Sequence, residues 1–227
     1  MTGSPVERDR RWAQLHSGLD PGSIPGLRCW LRSMWTLARP LVALGLPPTA
    51  ISVAGAVLAC AAVGVVRAIP LLAMGLLALS VLCDGLDGAV ALIAERASRA
   101  GAIADAVCDR IADLAFAAVI YRCGAPLWLS ALTAASVLGI EGWRLARAGI
   151  ARTTITVAER PTRFICAAVA AVLVATLPAA WPAVVCASVL LGLGALGLAQ
   201  LGSAQLGSAQ LRSAQSRSRG VEWRETF

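Results

Sequence analysis

Apolar residues gather in six stretches, at about 47–66, 69–94, 100–121, 125–142, 164–180 and 183–201, separated mostly by short breaks. These runs approach the roughly 20 residues that an α-helix needs to cross a bilayer. They are rich in Ala and Gly, which let helix backbones approach closely in lipid, so the pattern predicts a compact bundle with its polar groups turned inward. Ahead of them, residues 26–38 (GLRCWLRSMWTLA) alternate Arg with Trp and Leu at helical spacing. That spacing predicts an amphipathic helix lying in the membrane interface, ended by Arg39-Pro40. The expected fold is an all-α membrane protein: a six-transmembrane-helix bundle with an N-terminal amphipathic interfacial helix. Residues 1–25 read as a polar leader and 26–201 as the membrane domain. Residues 202–227 read as a low-complexity tail built on the units QLGSA, QLGSA, QLRSA and QSRSR. The tail is expected to be a flexible cytoplasmic extension, with a helical continuation of the last span as the alternative for its first turns.

Composition agrees with the membrane reading. The chain is 58% apolar with a mean hydropathy of +0.72, too hydrophobic for an ordinary soluble domain. The first forty residues are polar and lack the short apolar core and cleavage site of a removed signal peptide. Every basic residue is Arg. Arg67 and Arg122 fall in the turns after the first and third spans, and the other arginines fall on the opposite side. The positive-inside rule then puts both termini in the cytoplasm, at the cell membrane. The net charge of +7 reports topology and contact with anionic lipid; without a recognition module it gives no reason to invoke nucleic acid. The seven cysteines are scattered with no metal-ligand spacing and read as small apolar packing residues. The single histidine, His16, lies in the leader, which argues against His-dependent triads and HExxH zinc sites.

The chemistry-bearing segment is residues 84–109, DGLDGAVALIAERASRAGAIADAVCD. Ionised groups in an apolar span are expensive and are functional candidates for that reason. Asp84 and Asp87 are three residues apart, and Asp105 and Asp109 four apart, so each pair shares a helical face. Four carboxylates converging from two helices call for a cation. All-oxygen ligands select a hard ion such as Mg²⁺ or Mn²⁺. Four exceed the one or two that usually hold one Mg²⁺, which points to two ions able to stabilise the entering and leaving oxygens of a phosphoryl displacement. Gly88 and Ala91 lie on the face of Asp84 and Asp87, and Gly101 on that of Asp105 and Asp109. Missing side chains there leave space for a bulky anionic ligand.

This segment resembles the signature of the CDP-alcohol phosphatidyltransferases, D-x2-D-G-x2-A-R-x8-G-x3-D-x3-D, at every spacing. The resemblance extends to the order of two motif helices within six spans and to the amphipathic leader helix. It implies transfer of a phosphatidyl group from a CDP-linked lipid, CDP-diacylglycerol above all, to an alcohol acceptor, with release of CMP. It carries Asp84, Asp87, Asp105 and Asp109 over as metal ligands, Asp109 also as general base, and Gly88 and Gly101 as room for the nucleotide. It also implies a homodimer, and a site near the cytoplasmic interface where lipid and soluble alcohol meet.

Two positions depart from the family pattern. Leu92 stands where the family has Arg, which puts diphosphate affinity in question; Arg96, one turn on, is the candidate substitute. The family's Pro-Asn near the nucleotide is replaced by Pro48-Thr49, so Thr49 and Ser52 become candidate hydroxyl donors to the nucleotide, with N-capping by Thr49 as the alternative. Asp113 and Glu141 read as ion-pair partners, the latter for Arg144 or Arg163. The patch Arg144, Arg147, Arg152, Arg160 and Arg163 fits positive-inside topology. It also fits a phosphorylated acceptor such as glycerol 3-phosphate or inositol 1-phosphate, with Arg160 and Arg163 favoured because they open the fifth span. The competing readings are an intramembrane Mg-dependent prenyltransferase, a metal- or proton-coupled transporter, and a family member without turnover.

Overall fold

The computed structural model describes residues 10, 22, 26–95, 98–146, 160–177 and 179–225, with side chains through residue 203 except those of residues 145 and 160. Among the described residues the elements are α1 (Leu27–Ala43), α2 (Pro48–Val65), α3 (Pro70–Ile93), α4 (Arg99–Arg122), α5 (Leu127–Ala146), α6 (Arg160–Thr176) and α7 (Trp181–Glu225), with no strand. Proline opens α2 and α3 at the first helical position, where its missing N–H costs nothing. Ser98 caps α4, its Oγ accepting from the Gly101 N–H at 3.0 Å.

Three helices are long and apolar enough to cross a membrane: α2, α3 and the Trp181–Ser203 part of α7. The Pro161–Thr176 stretch of α6 is apolar but shorter. Helix α4 is diluted by Asp105, Asp109, Arg110 and Asp113, and α5 ends on Glu141, Trp143 and Arg144. Large apolar side chains such as Val53, Val57, Leu71, Leu79, Val185 and Val189 point outward, as expected of a bundle solvated by lipid.

Two expectations are corrected. Helix α1 does not stop at Pro40 but runs through it to Ala43. Proline lacks a donor and crowds the carbonyl one turn back, yet the helix closes beyond it, with the Leu44 N–H reaching the Pro40 carbonyl at 3.0 Å. The last span does not stop at residue 201: α7 continues to Glu225, so the helical alternative for the first turns of the tail holds and extends further along it. Its Leu, Ala and Gln are good helix formers and no proline interrupts them.

Helix α2 is the hub of the site half. It packs extensively on both α3 and α4, while those two scarcely touch. Small residues allow this. Gly55 lies against Ser80 and Cys83 of α3, where an added Cβ would sit 3.0 Å from Cys83 Cβ. On the other side Ala59 meets Ala112 and Ala115 of α4. The main apolar core, with Val66, Leu77, Phe116, Ile120, Leu129 and Leu190, lies toward the opposite end of the bundle. Helices α3 and α4 therefore diverge over the polar end, where α2 begins, α3 ends and α4 begins.

Candidate functional site

A cavity of about 400 Å³ opens between the diverging helices. Its wall comprises Pro47, Pro48, Thr49 and Ser52 at the start of α2, Asp87, Gly88 and Ala91 on α3, and Ser98, Gly101, Ala102 and Asp105 at the start of α4. The five residues expected at the CDP-lipid, Thr49, Ser52, Gly88, Ala91 and Gly101, all lie on it. A Cβ added to Gly88 would meet nothing within 4 Å, so the missing side chain leaves open space. At Gly101 a Cβ would come within 3.0 Å of the Ser98 Oγ.

Asp84, Asp105 and Asp109 each offer a carboxylate oxygen within 4.8 Å of the others, and all three are half-buried. Three hard oxygen donors from two helices suit a divalent cation such as Mg²⁺ or Mn²⁺. Asp87 is not in that group. Its Oδ2 accepts a 2.6 Å hydrogen bond from Ser52 Oγ, which ties the motif to α2. That proton has one good acceptor, because the Pro48 carbonyl is farther, at 3.3 Å. Thr49 is not the N-cap of α2; Pro47 occupies that position. Leu92 is half-buried on α3, while Arg96 lies outside the described residues.

Helix α1 covers the motif from outside. Met34 and Ala38 are buried with Ile51, Ala89 and Val90. Gly85, between the two α3 carboxylates, has no room for a side chain: a Cβ would fall 2.9 Å from Met34 Sδ and 3.1 Å from a Trp30 ring carbon.

Next to the carboxylate group runs a network of ion pairs. Arg110 reaches Asp109 at 3.9 Å, Asp113 at 3.5 Å and Glu141 at 3.2 Å. Arg163, only 4% exposed, pairs with Asp113 at 2.5 Å and with Glu141 at 3.2 Å, and Arg144 meets Glu141 at 3.3 Å. Asp113 and Glu141 are thus the ion-pair partners that their sequence positions suggest. Arg163 is engaged by two carboxylates, whereas the Arg160 side chain, Arg147 and Arg152 lie outside the described residues. Sequence reasoning missed Ser98, Arg110 and Gly85. A serine three residues before Gly101 at a helix start was the available signal for the first, and the arginine next to Asp109 for the second.

A family model described as CDP-alcohol phosphatidyltransferase matches residues 46–198. No curated protein matches the chain. Among solved structures, it is similar to a Mycobacterium tuberculosis phosphatidylinositol phosphate synthase in complex with manganese and citrate, with a TM-score of 0.61 and 24% identity over 75% of this chain and 88% of that one. The same enzyme with CDP-DAG bound matches with a TM-score of 0.58 and 24% identity over 77% of this chain and 92% of that one. At this identity the structural likeness carries the fold, and the family model spans most of the chain, including both motif helices. The chain belongs to the CDP-alcohol phosphatidyltransferase family, membrane enzymes that use a divalent metal to pass a phosphatidyl group from a CDP-linked lipid to an alcohol.

Proposed function

We propose that this protein transfers the phosphatidyl group of CDP-diacylglycerol to a small alcohol at the cytoplasmic face of the cell membrane, releasing CMP. The observation that carries this reading is the cavity itself. The start of α2, the motif face of α3 and the start of α4 form one wall around a space of about 400 Å³, and its Asp105 also belongs to the three-carboxylate group. A relative of the same fold has been seen with CDP-DAG and with manganese, which supports a CDP-lipid and Mg²⁺ or Mn²⁺ here.

In this reading the nucleotide end of the lipid fills the space left by Gly88, Ala91 and Gly101, with Thr49 offering a hydroxyl donor and Ser52, whose proton goes to Asp87, an acceptor oxygen. Asp84, Asp87, Asp105 and Asp109 hold the cations, two in number. Bound there, the cations would neutralise the diphosphate and the departing CMP. Asp109, at the arginine-rich edge, accepts the proton of the acceptor hydroxyl. The hydroxyl oxygen forms a bond to the phosphatidyl phosphorus, the bond from that phosphorus to the CMP oxygen breaks, and the electron pair leaves with CMP. Six spans put both termini and the site on the cytoplasmic side, and α1 lies in the interface with Arg28, Arg32 and Arg39 exposed.

The acceptor approaches Asp109 from the side of Arg110, with Arg163, at the start of α6, beside that approach and Arg160 carried as acceptor-binding from its place in the sequence. The arginines first suggest a phosphorylated alcohol, glycerol 3-phosphate or inositol 1-phosphate; the ion pairs they make bear on that choice.

The test is acceptor-dependent CMP release by the purified protein in mixed micelles containing CDP-diacylglycerol and Mg²⁺. Activity abolished by Asp105→Asn is the expected result. Absence of CMP with every alcohol would refute the reading.

A further inference from the structure

Glu141 is held by three arginines from three helices: Arg110 Nη1 of α4 at 3.2 Å, Arg144 Nη1 of α5 at 3.3 Å and Arg163 Nη2 of α6 at 3.2 Å. Several guanidinium groups closing on one point is how proteins grip a phosphate or carboxylate. Here the anion at that point is the protein's own. A second carboxylate, Asp113, stands in the same cluster against Arg110 and Arg163. It lies one contact from the carboxylate group, because Arg110 Nη2 is 3.9 Å from Asp109 Oδ2 and Asp109 is one of the three convergent aspartates.

A phosphorylated acceptor arriving here has two routes. It can displace the Glu141 carboxylate from three arginines, or enter beside it and stand next to the Glu141 and Asp113 carboxylates. Both routes are unfavourable for a dianion, and like charges placed side by side strongly disfavour a wrong partner. An uncharged hydroxyl compound meets neither obstacle. Resting on the proposed reaction and on entry of the acceptor at the arginine side of Asp109, we infer that Glu141 is a specificity-determining residue. Its carboxylate occupies the anion site of the acceptor pocket and directs the enzyme to an unphosphorylated alcohol.

Matched acceptor pairs test this directly. Inositol is compared with inositol 1-phosphate, and glycerol with glycerol 3-phosphate, using the full-length protein, CDP-diacylglycerol and Mg²⁺ in mixed micelles. The wild type should favour the unphosphorylated member in kcat/KM by about 10-fold or more. Glu141→Gln, which keeps the shape and removes the charge, should shift that ratio toward the phosphorylated member by at least about 10-fold, through a lower KM for it and an unchanged KM for the CDP-lipid. Glu141→Asp should keep the wild-type preference. A wild-type preference for the phosphorylated alcohol would overturn the inference, as would a ratio unmoved in Glu141→Gln. Should no acceptor release CMP, the proposed reaction fails, and calorimetric titration with inositol 1-phosphate still decides the role of Glu141. Binding to Glu141→Gln but not to the wild type supports it; equal binding to both refutes it.

Discussion

Ser52 Oγ and Asp87 Oδ2 lie 2.6 Å apart in the interior, a hydroxyl of α2 donating to a carboxylate of the α3 motif. Both residues are buried, Ser52 at 6% and Asp87 at 5% exposure, and both line the cavity. The bond crosses between the two helices that form one side of the cleft, so it sets the separation of the cavity wall as well as the direction of Asp87.

Removing that donor should therefore impair function beyond its share of stability. A hydrogen bond to a charged group is worth about 1.5–3 kcal/mol. Ser52→Ala is expected to lower kcat/KM for the CDP-lipid by about 10- to 100-fold. Ser52→Thr, which retains the hydroxyl, should lie near wild type. Steady-state CMP release with varied CDP-diacylglycerol checks this, and equal activity of the alanine and threonine variants would count against it.

Gly88 separates a packing role from a ligand role. Nothing lies within 4 Å of a Cβ built there, and alanine is favoured over glycine in a helix by about 1 kcal/mol. Gly88→Ala should thus leave the thermal melt unchanged or slightly raised. The same methyl projects into the cavity, and overfilling a close-fitting site by one group costs about 1–3 kcal/mol. The KM for the CDP-lipid should rise by about 10-fold. A melt that falls together with activity would mean the glycine serves packing instead.

Much of this architecture is legible in the sequence because hydrophobic runs and helix-face spacing are local properties. The six apolar stretches match α2 to α7 within a few residues at most ends, and the faces carrying Gly88, Ala91 and Gly101 line one cavity. Partnerships across long sequence separations are not local. Spacing puts Asp87 on the face of Asp84, but it does not reveal that Ser52, thirty-five residues away, engages it. The pairing of Glu141 with Arg144 is legible, three residues apart on one helix, but the pairing of Arg163 with Asp113, fifty residues away on another helix, is not. Pro40 reads as a stop because the rule against interior proline weighs one lost hydrogen bond, whereas burial of Met34, Trp35 and Ala38 helps hold α1 together.

Gly85 tests the hold of α1 on the motif. A Cβ at this position would come 2.9 Å from Met34 Sδ, the end of a flexible side chain. Gly85→Val should destabilise by about 1–3 kcal/mol through overpacking and lower activity by tilting α1 away from α3. Met34→Ala in the same chain frees the space and should recover much of the loss. Thermal melts of the single and double variants give the coupling, and strict additivity would show that the two residues do not meet.

Arg163 and Asp113 form a deeply buried ion pair, with side chains 4% and 2% exposed. Deleting one partner of a buried pair strands the other charge and costs about 3–5 kcal/mol, while replacing both by apolar residues is often nearly neutral. Arg163→Leu is accordingly expected to be strongly destabilising, and Arg163→Leu with Asp113→Leu much less so. Chemical unfolding in detergent checks the difference. If the double variant is as unstable as the sum of the singles, Glu141 and Arg110 depend on the pair more than on each other.

The three-carboxylate group makes a prediction about metal that can be read without turnover. Asp84, Asp105 and Asp109 converge within 4.8 Å, whereas Asp87 is directed to Ser52. The tightest Mn²⁺ should depend on the first three. Loss of even an outer partner of a metal site commonly costs 10- to 100-fold in affinity, so Asp84→Asn, Asp105→Asn and Asp109→Asn should each raise the Mn²⁺ dissociation constant by at least about 10-fold. Asp87→Asn should raise it less. Paramagnetic resonance of free Mn²⁺ in a titration of purified protein measures this directly. Chelation should abolish CMP release, and Mg²⁺ or Mn²⁺ should restore it, since all-oxygen donors favour hard cations. An Asp87→Asn variant as impaired in Mn²⁺ binding as the other three would show that the Ser52 bond is exchanged for metal ligation when the ion enters.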